Sequence, residues 1–130
     1  MIRGFICGAF DLLHAGHIFA LSDAKKHCDY LIVGLHVDPS IERKGKEHPV
    51  ESVLERQIKL NACEYVDEVV VYETEQDILT ILNNFAIDIR FLGGDYLDRQ
   101  DEISGKDLVP IHYLFRKHPY SSSALRKKLR

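Results

Sequence analysis

The feature that most constrains this chain is a strand that runs through a glycine turn into a helix near the amino terminus. The apolar residues 5–7 predict a buried strand, Gly8 ends it, and an amphipathic helix is predicted from Ala15. Such a turn brings backbone N–H groups together with the positive end of a helix dipole, and both attract phosphate. The segment therefore predicts an anion site at the end of the first strand.

Two histidines stand in this turn, three residues apart. His14 and His17 flank Gly16, and near a helix start that spacing lets both imidazoles face one side. Gly16 has no Cβ, so a ligand can approach the backbone. Two donors aimed at a phosphate are typical of phosphoryl or nucleotidyl transfer, where positioning and charge stabilisation dominate catalysis. A metal pair or ordinary surface histidines are the alternatives, and Asp11 is the one further metal ligand nearby.

Length, charge and cysteine content narrow the class of protein. The 130 residues fit one domain, 1–130, and the 45% hydrophobic content is enough for a core. A net charge of −3 does not favour nucleic acid or a membrane surface as partner, and no apolar stretch approaches bilayer length. The chain has three cysteines and no close pair among them, which predicts a protein without disulfides. The amino terminus does not resemble a signal peptide, so a cytoplasmic protein is predicted.

Strand and helix patterns alternate along the chain. Predicted strands span residues 3–8, 30–35, 65–72, 86–92 and 109–115. Predicted helices span residues 15–27, 52–63, 75–84 and a short segment ending at 129–130. The fourth strand alternates, so one of its faces is expected to be more polar. This order predicts an α/β fold, a Rossmann-like doubly wound five-stranded parallel sheet with helices on both faces.

The chemically distinctive segments follow the ends of predicted strands, where ligands bind in a doubly wound sheet. They are 8–17 after the first strand, 40–49 after the second, 93–95 after the fourth, and Arg116 with a serine run after the fifth. The lysine-rich loop 40–49 is either a solvated connection or a lid that closes on phosphates. The basic end at 126–128 is interpreted as complementing the dipole of the last helix.

Several segments taken together are more specific than the histidine pair. Residues 8–17 read Gly-Ala-Phe-Asp-Leu-Leu-His-Ala-Gly-His, residues 29–34 read Asp-Tyr-Leu-Ile-Val-Gly, and residues 65–69 read Tyr-Val-Asp-Glu-Val. With these motifs the chain resembles the cytidylyltransferase branch of the H-x-G-H nucleotidyltransferases, above all the glycerol-3-phosphate cytidylyltransferases, with Ala9 for the usual threonine. The resemblance covers nearly the whole chain.

The resemblance implies transfer of CMP from CTP to a small, glycerol-3-phosphate-like phosphomonoester, with release of pyrophosphate. It implies that the catalytic residues are His14, His17, Lys46 and Arg116. It implies that the nucleotide-binding residues are Ala9, Phe10, Asp11, Gly16, Gly94, Asp95, Tyr120, Ser121 and Ser122. The acceptor-binding residues would be Lys44 and Asp38. It also implies Mg²⁺ that bridges substrate phosphates with few protein ligands, and a homodimer.

Two departures from the family pattern leave the substrates open. Residues 116–123 read Arg-Lys-His-Pro-Tyr-Ser-Ser-Ser, and the serine run also resembles a segment of adenylyltransferases, so ATP with a sugar phosphate or cofactor precursor is an alternative. Residues 73–77 are acidic where the glycerol-3-phosphate enzymes carry a lysine, so phosphoethanolamine or phosphocholine is an alternative acceptor. A further alternative is a nucleotide-binding protein without catalysis, although both histidines and the lysines are present.

Overall fold

The computed structural model describes residues 1–116 and 122–129. The strands are β1 (Arg3–Gly8), β2 (Tyr30–His36), β3 (Glu68–Tyr72), β4 (Ile89–Gly93) and β5 (Ile111–Leu114). The helices are α1 (Ala15–Lys25), α2 (Val53–Asn61), α3 (Glu75–Asn84) and α4 (Ser122–Leu129), with short 3₁₀ helices at Gly94–Asp98 and Gln100–Glu102. All strand pairs are parallel, which confirms the predicted fold class.

The strand order is β3-β2-β1-β4-β5, so the order changes direction at β1. Ile6 of β1 lies opposite Val33 of β2 on one side and Phe91 of β4 on the other. In parallel sheets a crevice forms outside the carboxyl ends of the strands at such a switch point. The turn that carries both histidines leaves β1 at this crevice.

Apolar clusters cover both faces of the sheet. Ile6 packs in a cluster with Leu21 of α1 and Leu60 of α2, whereas its neighbour Phe5 packs in a cluster with Ile78 of α3. Successive side chains of a strand point to opposite faces. The helices α1 and α2 therefore cover one face and α3 covers the other, as predicted.

Element boundaries differ from the predictions mainly at the amino ends of β3 and β4. β3 begins at Glu68 rather than at residue 65, and β4 begins at Ile89 rather than at residue 86. Ala86 has a φ of +54°, a left-handed conformation that cannot extend into a strand. The N–H of Asp88 then donates to the carbonyl of Arg3 before regular pairing begins. Both differences arise because the chain must turn out of a helix before it enters the sheet.

The helices are short, and α1 has 11 residues. Within residues 1–116 and 122–129, no helix is long and apolar enough to cross a bilayer. The three cysteines, Cys7, Cys28 and Cys63, are half-buried free thiols.

Candidate active site

A cavity of about 480 Å³ opens beyond the carboxyl ends of the central strands. One end, called the histidine end here, is lined by Ala9, Phe10, Asp11, His17 and Arg126. The opposite end, called the α3 end, is lined by Cys7, Tyr72, Glu75, Arg90 and Ser104. The loop after β2 contributes Arg43, Gly45 and Lys46 to the lining. The cavity therefore joins the β1–α1 turn to the face of the sheet that α3 covers.

The two imidazoles stack at the start of α1, with ring centroids 3.9 Å apart. The Nδ1 of His14 accepts a hydrogen bond from the N–H of Gly16 at 2.9 Å, and the Nδ1 of His17 accepts one from the N–H of His14 at 3.1 Å. A backbone N–H can only donate, so in each neutral ring the proton resides on Nε2. The pair therefore consists of two neutral Nε2–H donors.

The same hydrogen bonds alter the expected role of Gly16. The sequence predicts that first-turn N–H groups of α1 meet an anion, but the N–H of Gly16 donates to His14 instead. His14 and His17 form a capping box, in which the side chain of His14 accepts from a backbone N–H of the first turn and the side chain of His17 accepts from the N–H of His14, the N-cap residue. His17 lines the cavity and His14 stacks against it. The three-residue spacing thus orients the rings as well as placing them on one side.

Burial lowers the pKa of His17 to about 3, and His14 acts in the same direction. Asp11 acts the other way but does not compensate. The ring is therefore neutral at ordinary pH, and its donor does not depend on protonation.

We expect His17 to make the fold sensitive to acid. The unfolded imidazole takes up a proton near pH 6.5 but the folded one only near pH 3, so between these values stability falls as the pH falls. The contribution is at most about 1.4 kcal/mol per pH unit. Urea unfolding between about pH 7 and pH 4 should show a shallower pH dependence for His17→Gln than for the wild type.

The control for this measurement is His27→Gln, which removes an exposed imidazole just beyond α1. It should keep the wild-type pH dependence. Equal slopes for the wild type and His17→Gln would show that the buried ring does not carry the effect.

The turn between β1 and α1 is strained and is held by the segment before α2. Phe10 and Leu12 have φ angles of +49° and +52°, a conformation that costs a non-glycine residue about 1–3 kcal/mol. The N–H of Leu12 donates to Oε1 of Glu51 at 2.6 Å. The carboxylate of Asp11 accepts from the N–H groups of Val50 and Glu51 at 2.7 and 2.9 Å. These contacts hold the turn against the cavity.

Asp11 also anchors α4. Arg126 of α4 forms an ion pair with Asp11 and a second one, at 3.4 Å, with Glu47. Burial acts to raise the pKa of Asp11, but the N–H groups of Val50 and Glu51 and the guanidinium of Arg126 outweigh it, so the pKa is lowered. The contacts of this ionised carboxylate shape the site. Arg126, which the sequence analysis assigned to the dipole of the last helix, is a cation that lines the cavity.

Arg56 of α2 is a buried arginine, although arginine side chains are mostly exposed in folded proteins. It is 2% exposed. Its Nη1 donates to the carbonyls of Ala9 and His36 at 3.0 and 2.7 Å, and its Nη2 donates to that of Val37 at 2.8 Å. The arginine therefore ties together the chain segments that leave β1 and β2. Helical periodicity cannot distinguish such a residue from a solvated one.

The loop after β2 brings two cations, Arg43 and Lys46, to the cavity. Partial burial, and then the nearby Arg43 and Arg99, lower the pKa of the Lys46 ammonium. Cations that disfavour one another in this way are typical of a polyphosphate site. Lys44 is exposed and lies outside the cavity lining, so its predicted contact with an acceptor stays a prediction.

Asp38 stabilises the start of the same loop. Its carboxylate accepts hydrogen bonds from the N–H and the hydroxyl of Ser40 at 3.0 and 2.5 Å and pairs with His48 at 2.5 Å. The hydroxyl of Ser40 is the largest cause of the lowered pKa of Asp38. The structure thus gives Asp38 a loop-shaping contact, and its contact with an acceptor stays a prediction.

The turn after β4 lies beside the residues that follow β5. A Cβ on Gly94 would come within 2.5 Å of the ring of Phe115, so this position has no room for a side chain. Asp95 pairs with Arg99 at 2.7 Å on the surface. Arg116 is exposed and lies outside the cavity lining. Three predicted nucleotide-binding groups, Tyr120, Ser121 and the side chain of Ser122, lie outside the described residues.

The residues of this site fit a Mg²⁺ that is held mainly by substrate phosphates. In the part of the chain that the structure describes, no cluster of three or more His, Cys, Asp or Glu side chains could hold a metal ion. The carboxylate of Asp11 is already held by two N–H groups and Arg126. A hydrated Mg²⁺ bound to phosphate oxygens needs few protein ligands.

A family model described as cytidylyltransferase-like matches residues 5–128. The bifunctional protein HldE of Helicobacter pylori is 38% identical over 128 residues, which cover 97% of this chain and 27% of that protein. The protein of the same name from Caulobacter sp. is 41% identical over 107 residues, covering 82% of this chain and 21% of that protein. The chain therefore spans about a fifth to about a quarter of the length of these relatives.

A solved structure shares the fold. The crystal structure of the lipopolysaccharide core biosynthesis protein from Thermoplasma volcanium superposes with a TM-score of 0.70 and is 28% identical in sequence. The superposition covers 93% of this chain and 99% of that one. It confirms the Rossmann-like α/β architecture.

Proposed function

The chain belongs to the cytidylyltransferase-like family, and on that basis we propose that it is a nucleotidyltransferase that moves CMP from CTP to a small phosphomonoester and releases pyrophosphate. The observation that carries this proposal is the stacked histidine pair, whose protons reside on Nε2 and whose His17 ring lies in the cavity wall. Two preorganised neutral donors suit a site where negative charge develops on phosphate oxygens.

In the proposed reaction, an oxygen of the acceptor phosphate attacks the α-phosphorus of the triphosphate. The new P–O bond forms while the bond from the α-phosphorus to the bridging oxygen breaks, and pyrophosphate leaves with that electron pair. The attacking oxygen is already anionic, so no protein nucleophile is required. Charge builds on the α-phosphate oxygens and the bridging oxygen, where the donors of His14 and His17 would stabilise it.

The cations of the cavity would hold the substrates' phosphates. Arg126 lies at the histidine end, and Arg43 and Lys46 line the cavity from the loop after β2. We assign the β- and γ-phosphates to Lys46 together with Arg116, and the acceptor phosphate to Lys44, as the family resemblance implies. Mg²⁺ carried by the triphosphate would neutralise charge on the departing phosphates.

An adenylyltransferase that acts on a sugar phosphate is the second candidate. The similar solved structure is described as a lipopolysaccharide core biosynthesis protein, which favours a sugar phosphate as acceptor. The serine run at 121–123 resembles that of adenylyltransferases. The two candidates share the reaction and differ in the base and in the acceptor.

We expect CTP to raise the unfolding temperature more than ATP does. A ligand at 100 times its Kd stabilises the folded state by about 2.7 kcal/mol, which is a shift of several degrees for a domain of this size. The first measurement is thermal unfolding with each nucleotide and Mg²⁺. The second is pyrophosphate release with each nucleotide and a panel of phosphomonoester acceptors. A larger shift with ATP would favour the second candidate, and binding without release from any pair would favour a non-catalytic protein.

The resemblance also supports a homodimer. A cytoplasmic location would suit both a nucleoside triphosphate substrate and the free thiols of Cys7, Cys28 and Cys63. We include both in the proposal.

A further inference from the structure

The α3 end of the cavity contains a buried arginine that the proposed phosphate chemistry does not use. Arg90 of β4 is 3% exposed, and its Nη1 donates to the carbonyl of Ser104. Its Nε is buried and has no hydrogen-bond partner among the residues that the structure describes. A guanidinium carries five donors, and burying a donor without a partner is costly. Because Arg90 lines the cavity, a ligand there can supply the missing acceptor.

Two neutral groups, Cys7 and Tyr72, lie beside Arg90. Burial raises the pKa of the Cys7 thiol and of the Tyr72 phenol, although Arg90 acts to lower both. The two side chains are hydrogen-bonded to each other, and the guanidinium of Arg90 also donates a hydrogen bond to the Cys7 sulfur. Both keep their protons at neutral pH, so they bind as neutral polar groups and do not act as nucleophiles.

Glu75 supplies hydrogen-bond acceptors at the same end. Its Oε2 accepts from the hydroxyl of Ser104 at 3.3 Å, and its Oε1 lies 3.9 Å from Nε of Arg43. One carboxylate and the Arg90 guanidinium give this end both an anion and a cation. A hydroxyl group both donates and accepts, so it can bind to both.

A cationic head group fits this end poorly. The ring of Tyr96, whose face could attract such a group, is already covered: the guanidinium groups of Arg43 and Arg99 lie 5.7 and 4.7 Å from its centre. The ring of Tyr72 stacks on His36 with centroids 4.6 Å apart. The charge of Arg90 also repels a cation, so phosphocholine and phosphoethanolamine are disfavoured as acceptors.

We propose that the α3 end is a hydroxyl-recognition subsite for the acceptor, in which Arg90 is the specificity-determining donor and Glu75 the acceptor. The inference rests on the proposed function and names its substrate class, a polyol phosphate or sugar phosphate with a hydroxyl remote from the phosphate. The acceptor phosphate lies towards the loop after β2, where Lys44 is assigned to it and where Arg43 lies beside Glu75, and the remote hydroxyl binds Arg90.

The test compares acceptors with and without the remote hydroxyl. Glycerol 3-phosphate represents the polyol phosphates, ribose 5-phosphate the sugar phosphates, and propyl phosphate is the deoxygenated counterpart. A hydrogen bond to a charged group contributes about 1.5–3 kcal/mol, so the wild type should favour one hydroxylated acceptor over propyl phosphate by about 10–100-fold in kcat/KM. In Arg90→Leu this preference should fall towards unity through a higher KM for the hydroxylated acceptor, with the KM for nucleotide unchanged.

The matched control is Arg3→Leu, which removes a guanidinium at the amino end of β1, where its Nε donates to the carbonyl of Phe85 at 2.9 Å. It should keep the wild-type preference. If Arg90→Leu does not fold, Arg90→Lys and Tyr72→Phe take its place. Arg90→Lys loses the planar fork and Tyr72→Phe loses one hydroxyl, so each should lower the preference.

Three results would count against the inference or its premise. An unchanged preference in a folded Arg90 variant overturns the subsite. An Arg90-dependent preference for 3-phosphoglycerate over glycerol 3-phosphate overturns the hydroxyl assignment in favour of a carboxylate. Absence of turnover with every nucleotide and acceptor overturns the proposed function itself. In that case the subsite is tested alone, by comparing the rise in unfolding temperature that glycerol 3-phosphate causes in the wild type with the rise it causes in Arg90→Leu.

Discussion

His17→Ala should lower kcat for pyrophosphate release by about 10²–10³-fold, the usual cost of removing one preorganised donor to a developing oxyanion. The KM for nucleotide should change little, because a donor that acts mainly in the transition state contributes little to ground-state binding. The structure makes His17 the better choice of the two histidines, since it lines the cavity and its tautomer is set by the N–H of His14.

The measurement is steady-state pyrophosphate release, with thermal unfolding to verify the fold. His27→Ala removes an exposed imidazole of the same chain and should retain wild-type turnover. Turnover of His17→Ala close to that of the wild type would mean that the pair does not carry the chemistry assigned to it.

Arg56→Met should lower the free energy of unfolding by about 3–5 kcal/mol, because the buried carbonyls of Ala9, His36 and Val37 then lose their donors. The guanidinium makes these bonds at 2.7–3.0 Å. Methionine replaces the apolar part of the side chain but none of its donors. Urea unfolding at neutral pH measures the difference.

A methionine on the same helix provides the control for Arg56→Met. Lys59 pairs with Glu51 at 2.5 Å, and the two side chains are 44% and 11% exposed. The ammonium is in contact with solvent, and pairs with such a partner contribute about 0–1 kcal/mol. Lys59→Met should therefore cost less than about 1 kcal/mol. A comparable loss in both variants would show that the three carbonyl bonds are not the source of the effect.

Local patterns were sufficient where an element carries its own start and stop. β1 spans Arg3–Gly8 and α3 spans Glu75–Asn84, both as predicted. In α3 the side chain of Thr74 accepts from the N–H of Asp77, a cap that depends on residues next to each other in sequence. The predicted start of β4 at residue 86 was wrong, because Ala86 has a left-handed φ where the chain leaves α3. A hydrophobic pattern does not indicate such a conformation.

Part of the candidate site was also predictable from local sequence, and part was not. The histidine spacing and the lysine loop predicted a phosphate site, and His17 and Lys46 do line one cavity. Three arginines from separate elements shape the rest of the site. Arg90 of β4 and Arg126 of α4 line the cavity, and Arg56 of α2 holds the chain segments that leave β1 and β2. The alternation of the fourth strand predicted a more polar face, but not that its arginine lines the cavity.

By itself the sequence determined the order of strands and helices, the parallel sheet, and a histidine pair at the end of the first strand. These follow from spacing along the chain, since periodicity, glycine turns and caps are local. Only the tertiary structure decided which nitrogen of each imidazole holds the proton, which cations of the loop after β2 reach the cavity, and which arginines are buried. Those properties depend on desolvation and on hydrogen-bond partners far away in sequence, such as Arg56 and Ala9, 47 positions apart.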